Sequence, residues 1–223
     1  ACMIRIEEYT QKLIDLLKHA FSDRLVYVGL QGSYLRQEAT DTSDIDIMAV
    51  IDDLDFADLD RYRSVLEKAG NYELSCGFLC GKDELANWNP LEICHLTHTT
   101  KDLFGSLKDL VPVYTEQDEK KYIQFSINTL YHEVCHARIH SDETERKSRI
   151  CACFKSLFFI LQNICYLNTG VFPETKKKLL NAVAGEDKDV FKRSLAVRSA
   201  ADIDSGRDLA LLFHWCQRYT AEF

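Results

Sequence analysis

Two short runs of the sequence carry residue types that could handle phosphate and metal. Gly32-Ser33 comes first, and Asp44-Ile45-Asp46 follows it. Alternate side chains of a strand point to the same face, so Asp44 and Asp46 are expected to project together. Neighbouring carboxylates repel unless a cation lies between them, and Mg²⁺ accepts one or two carboxylates together with substrate phosphates. Gly32 permits close backbone approach, and Ser33 can offer its amide and hydroxyl to phosphate.

The segments around these runs predict the elements that would position them. Leu25–Leu30 and Ile45–Ile51 are apolar and predict two buried strands, joined by a polar connection at residues 31–43. Further elements are predicted nearby: helices at 3–20, 53–69 and 82–88, and extended segments at 72–80 and 91–97. The predicted phosphate turn therefore follows one strand, and the acidic pair opens the next.

The rest of the chain predicts helices, at 122–140, 145–169, 176–183 and 209–219. Each amphipathic face must find an apolar partner, which favours a helical bundle. We therefore expect an α+β protein with one domain at residues 1–104, containing the sheet, and a helical domain at residues 105–223.

The Gly32-Ser33 run with Ser43-Asp44-Ile45-Asp46 resembles the nucleotidyltransferases of the DNA polymerase β superfamily. It looks most like the aminoglycoside nucleotidyltransferases and their uncharacterised bacterial relatives. The resemblance implies a polymerase β-like domain with a mixed sheet, followed by a helical bundle. It also implies roles for single residues: Asp44 and Asp46 as catalytic Mg²⁺ ligands, and Gly32, Ser33, Arg36, Ser43 and Lys155 as nucleotide-binding residues.

The reaction implied by this resemblance is transfer of an NMP group from an NTP, with ATP expected, to a small-molecule or protein acceptor. An acceptor hydroxyl or amine would attack the α-phosphate in line, and pyrophosphate would leave. The family pattern includes a third carboxylate on a following strand, for which Glu73 and Glu92 are candidates unless the ligand is absent. Glu133 is a candidate general base for the acceptor.

Two alternatives stay open. His132-Glu133-Val134-Cys135-His136 matches the zinc-hydrolase pattern HExxH, but Ile139 and Asp142 stand where an extended version of that motif has Gly and His. The second alternative is a non-catalytic nucleotide-binding or antitoxin-like module, because an incomplete carboxylate set could bind without transferring.

Composition and net charge argue against some classes of binding partner. The 223 residues have a net charge of −8, and residues 1–110 hold 20 acidic against 11 basic side chains. This acidity argues against a broad binding surface for duplex nucleic acid or anionic lipid. The nine cysteines form no CxxC pair, and the apolar run Leu157–Leu167 is too short to span a bilayer. We expect a cytoplasmic protein with reduced cysteines; the acceptor, the NTP and the oligomeric state stay open.

Overall fold

The two apolar runs that flank the motif form the centre of a four-stranded sheet in the computed structural model, which describes residues 4–222. β1 (Leu25–Leu30) and β2 (Ile45–Ile51) pair antiparallel, with Leu30 opposite Ile47. β3 (Ser75–Gly81) lies parallel to β2, and β4 (Lys101–Phe104) lies antiparallel to β1 on the other side. The order is β3-β2-β1-β4, so the predicted mixed sheet is confirmed.

The sheet is covered on both faces by elements of the same unit. These are α1 (Ile6–Phe21), α2 (Gly32–Leu35), α3 (Phe56–Ala69), α4 (Lys82–Ala86) and α5 (Pro90–His98). Ile45 and Ile47 of β2 join the core formed with α1 and α3. Met48 and Val50 alternate to the opposite face and pack near Tyr27 and Leu107. This alternation leaves Asp46 on the same face as Met48.

Several aspartates after β2 serve the fold. Asp55 and Asp58 form a capping box at the start of α3, in which each side chain accepts from the other's backbone N–H. Arg24 donates to both carboxylate oxygens of the buried Asp58, at 3.2 and 2.5 Å. These hydrogen bonds hold the pKa of Asp58 below its usual value. Some of the acidic side chains in residues 1–110 therefore stabilise the fold.

The prediction of an extended segment at 91–97 is wrong, because these residues lie in α5. Asn89 caps this helix by accepting from the backbone N–H of Leu91, and Pro90 occupies its first turn, where proline is tolerated. The strand that pairs with the outer side of β1 is β4, a four-residue edge strand that the sequence pattern does not predict. The 31–43 connection also contains α2, which begins at Gly32.

The chain divides into two compact units, Ala1–Val113 and Tyr114–Phe223. The boundary predicted after residue 104 falls inside the first unit, where Leu107 is buried beside Tyr27. The second unit is helical: α6 (Glu116–His140), α7 (Glu143–Thr169), α8 (Lys176–Ala182), α9 (Gly185–Ala196) and α10 (Ser205–Glu222). Of these, α9 was not predicted.

The central helix of the second unit is α7. The Leu157–Leu167 run belongs to this 27-residue helix, which is long and apolar enough to cross a membrane by length and composition, but 61% of its most apolar window is buried. Its buried residues pack in one core with α6 and α10, as in the core helix of a helical bundle. The described cysteines are all free thiols, and Cys2 lies outside the described residues.

Candidate functional site

A row of polar residues crosses the sheet at the end where β1 stops and β2 begins. Gln31, just after β1, donates its backbone N–H to the carbonyl of Asp46 at 2.9 Å. Its side-chain amide donates to Thr100 Oγ1 at 2.8 Å. On the other side, Asp46 pairs in register with Cys76 of β3. The row therefore runs Thr100, Gln31, Asp46, Cys76 across neighbouring segments of the sheet.

The turn after β1 is pressed directly against Asp46. Gly32 has a φ of +67° and begins α2. A methyl group on Gly32 would lie 1.8 Å from Oδ2 of Asp46, so only glycine leaves room for the carboxylate there. The residues of both predicted runs thus meet in one place. Ser33 follows, half-buried, in the same turn.

The electrostatics of Asp46 favour a bound cation. Asp46 is half-buried, and Asp44, just before β2, is exposed. Burial is the main cause that raises the pKa of Asp46, and the negative charge of Asp44 raises it further. The Asp44 and Asp46 carboxylates are therefore close enough to repel each other. Two neighbouring carboxylates, one exposed and one half-buried, fit the donor set that Mg²⁺ takes.

Cys76 occupies the place on β3 that faces Asp46. Its thiol donates a hydrogen bond to the Asp46 carboxylate, which lowers the pKa of Asp46 and opposes the effect of burial. Burial and the charge of Asp46 raise the pKa of Cys76, so the thiol stays protonated. A neutral hydrogen-bond donor therefore lies opposite the Asp46 carboxylate.

The two candidates for a third carboxylate lie elsewhere in the first unit. Glu92 lies on α5 rather than on a strand, and its Oε2 accepts from Trp88 Nε1 at 2.6 Å. Glu73 is exposed in a short 3₁₀ turn that precedes β3. Within residues 4–222, no group of three or more His, Cys, Asp and Glu side chains is arranged to hold a metal ion. The described site therefore offers two carboxylates.

Arg36 supplies positive charge beside the acidic pair. Its charge lowers the pKa of Asp46, and its Nε donates to Glu38 Oε2 at 3.1 Å. His95 of α5 lies close enough to be affected by Arg36. Burial is the main cause that lowers the pKa of His95 to about 4, with smaller contributions from His98 and Arg36. His95 is consequently neutral at pH 7.

The other predicted nucleotide-binding residues have separate settings. Ser43 Oγ accepts from the backbone N–H of Thr40 at 2.8 Å and stabilises the turn that leads into β2. Lys155 is exposed on α7, in the second unit. Roles for Ser43 and Lys155 in nucleotide binding stay predictions.

The HExxH residues lie on α6 without the arrangement of a zinc hydrolase. Glu133 accepts from Arg149 Nη1 at 3.0 Å, so the side chain that would act as general base is held in an ion pair. The ring centroids of His132 and His136 are 6.3 Å apart. The described residues supply no third metal ligand to this pair.

Gln31, Thr100 and Cys76 belong to the site but were missed by sequence reasoning. The signal for Gln31 was present, because it directly precedes Gly32 at the end of a predicted strand. Thr100 and Cys76 carried no such signal. Their places beside Gln31 and Asp46 follow from β-pairing between segments distant in sequence.

No protein-family model matches the sequence, and a search of the curated proteins finds no match. Among solved structures, the fold is similar to that of spectinomycin adenyltransferase AAD(9) from Enterococcus faecialis, crystallised with ATP and spectinomycin. The identity is 13% and the TM-score 0.55, over 95% of this chain and 99% of that one. A nucleotidyltransferase-like protein from Exiguobacterium sibiricum 255-15 matches with 13% identity and a TM-score of 0.42, over 96% of this chain and 75% of that one. The AAD(9) match confirms the predicted α+β, nucleotidyltransferase-like fold.

Proposed function

We propose that this protein is a Mg²⁺-dependent nucleotidyltransferase that transfers an NMP group, with ATP as donor, to a small-molecule or protein acceptor. The observation that carries the proposal is the contact between Gly32 and Asp46, which brings the phosphate turn and the acidic pair together. The contact occurs in a fold similar to that of an adenyltransferase. In this proposal Asp44 and Asp46 hold Mg²⁺, and the Gly32-Ser33 turn holds the triphosphate.

Bound Mg²⁺ would neutralise charge on the phosphates and lower the barrier to in-line displacement. The chain's own groups position the reactants. Gly32 has no side chain to keep a phosphate from the backbone, and Arg36 brings a guanidinium near the same point. Cys76 holds Asp46 by a hydrogen bond from one side. Positioning and charge compensation account for most of catalysis in this reaction class.

The site residues indicate less about the acceptor than about the nucleotide and the metal ion. AAD(9) was crystallised with spectinomycin, so an antibiotic acceptor belongs in the first panel to be tested. The attacking group on the acceptor would be a hydroxyl or an amine, which forms a new bond to the α-phosphorus while pyrophosphate departs. The acidic first half of the chain is compatible with a cationic acceptor.

A transfer assay tests the proposal. The full chain is incubated with α-³²P-ATP, Mg²⁺ and a panel containing spectinomycin, other aminocyclitols, aminoglycosides and protein acceptors. We expect label transfer that is lost in Asp44→Ala and in Asp46→Ala and kept in Asp41→Ala, which removes an exposed carboxylate from the same loop. Transfer that survives both site substitutions would refute the proposal.

One observation favours a second candidate, a nucleotide-binding module without transfer activity. The position that faces Asp46 on β3 carries the thiol of Cys76 instead of a carboxylate. Such a site could bind Mg²⁺ and ATP while lacking a group needed for transfer. Tight, Mg²⁺-dependent ATP binding without transfer to any acceptor in the panel would support the module over the enzyme.

A further inference from the structure

Three histidines line up along the last two turns of α6, in the second unit of the chain. His132, His136 and His140 follow one another at intervals of four residues, which places them on one side of a helix. His132 and His140 are exposed, and His136 is half-buried. Imidazole is a preferred ligand of Zn²⁺, Ni²⁺ and Cu²⁺. The proposed nucleotidyltransferase activity leaves this row of histidines without a role.

The distance between ring centres shows which of the two neighbouring histidine pairs fits a shared metal ion. A metal ion about 2.1 Å from a ring nitrogen lies about 3.2 Å from the ring centre, so two rings bound at 90–110° have centres about 4.5–5.2 Å apart. The centroids of His136 and His140 are 5.0 Å apart. Those of His132 and His136 are 6.3 Å apart, so the pair inside HExxH would have to move to share one ion.

The surroundings of His136 leave its ring available. Its buried Nδ1 has no hydrogen-bond partner among the described residues. No protein acceptor on that side fixes the tautomer of the ring, so Nδ1 can carry the proton and leave Nε2 as the metal-binding nitrogen. Glu133, the other functional residue of the motif, is held by Arg149. The row can therefore bind a metal without forming a hydrolase centre.

We propose that His136 and His140 form a two-ligand site for a borderline divalent transition metal such as Ni²⁺, Zn²⁺ or Cu²⁺. Across residues 4–222, no third side chain joins them, so water or a ligand from another molecule completes the coordination. Such a site is a surface chelate, and it is distinct in residues and in metal preference from the Asp44 and Asp46 pair. Imidazole pairs select transition metals, whereas Mg²⁺ prefers oxygen ligands.

Calorimetric titration of the full chain with NiCl₂, without nucleotide, tests this site. We expect Ni²⁺ binding that His140→Asn weakens by at least about tenfold, because loss of even an outer-shell partner costs that much. His140 is exposed, so this variant should fold normally. His136→Asn should weaken binding similarly, and His132→Asn should weaken it less. The affinity should be higher for Cu²⁺ than for Ni²⁺ and Zn²⁺. The heat of Mg²⁺ binding should be the same in His140→Asn as in the wild type.

Two controls separate this site from others. His19→Asn removes an exposed histidine from α1, and Asp46→Ala disables the proposed Mg²⁺ site; neither should alter Ni²⁺ affinity. The proposal is overturned if the wild-type chain does not bind Ni²⁺ or if His140→Asn binds it as tightly as the wild type. It is also overturned if Asp46→Ala abolishes the binding, since the ion would then occupy the acidic site.

Discussion

Substitution of Gly32 by alanine tests the contact on which the proposed activity depends. The added methyl would lie 1.8 Å from Oδ2 of Asp46, although contacts of a Cβ atom shorter than 3.0 Å are essentially never found. The carboxylate or the turn must therefore shift by at least about 1.2 Å. The φ of +67° at residue 32 adds a backbone cost of about 1–2 kcal/mol for an L-residue.

The two effects have different readouts. A shifted Asp46 carboxylate should weaken Mg²⁺-dependent ATP binding by about 10–100-fold, the range found when the surroundings of metal ligands are disturbed. Backbone strain should lower the free energy of unfolding by about 1–2 kcal/mol. Calorimetric titration with ATP, with and without Mg²⁺, measures the first effect without knowledge of the acceptor. Urea unfolding measures the second.

A matched control is available at Gly170, where φ is +72° and no atom lies within 4 Å of the position a methyl would take. Gly170→Ala should bear a similar backbone cost while leaving ATP binding unchanged. Unaltered Mg²⁺-dependent ATP binding in Gly32→Ala would refute the reasoning. Equal loss of ATP binding in both alanine variants would also refute it, because strain alone would then explain the result.

Three further substitutions have defined outcomes. Burial raises the pKa of Glu119 to about 7, so the unfolded state loses its proton first as pH rises and stability falls from about pH 4.5 to 7. Glu119→Gln should therefore stabilise the chain by up to about 3 kcal/mol at pH 8 and not at pH 4, measured by urea unfolding. Asp208→Asn should cost about 3 kcal/mol in the same measurement, because the buried Asp208 accepts two hydrogen bonds from Arg193, at 2.7 and 2.8 Å. Cys76→Asp should tighten Mg²⁺-dependent ATP binding about tenfold by adding a charged oxygen ligand beside Asp46.

Each of these substitutions has its own control. For Glu119→Gln the control is Glu145→Gln, which removes an exposed carboxylate that pairs with Arg149 and should not stabilise the chain at pH 8. Glu67→Gln breaks an exposed pair with Arg63 and should change stability by less than about 1 kcal/mol. Cys76→Ser should leave Mg²⁺ dependence unchanged. The argument for Glu119 is contradicted if Glu119→Gln stabilises the chain at pH 4. The argument for Asp208 is contradicted if Asp208→Asn leaves the free energy of unfolding unchanged. The argument for Cys76 is contradicted if Cys76→Asp binds ATP more weakly in the presence of Mg²⁺.

Local patterns were enough to predict much of the first unit. The strands at 25–30 and 45–51 match the structure residue for residue, because an apolar run bounded by polar turns has one favourable environment, the interior of a sheet. The helix predicted at 53–69 begins at Phe56, three residues later than predicted. Its start is set by the capping box of Asp55 and Asp58, a side-chain contact that hydrophobic periodicity does not register.

Other elements depended on contacts that a local pattern does not contain. Residues 91–97 are apolar enough for a strand, yet the cap at Asn89 and the proline that follows place them in α5. The edge strand β4 is short and pairs with β1 through residues distant in sequence. Short segments of this kind carry little periodicity, so their state is decided by their neighbours in the fold.

By itself the sequence determined the chemical types at the site: a glycine and a serine after one strand and two carboxylates at the start of the next. It also determined the order of an α+β unit followed by helices. Only the tertiary structure decided that Gly32 lies against Asp46, that Cys76 faces it from β3, and that Glu92 lies on a helix. The physical reason is that strand pairing and side-chain packing join residues far apart in the chain, whereas propensity and periodicity report only on neighbours.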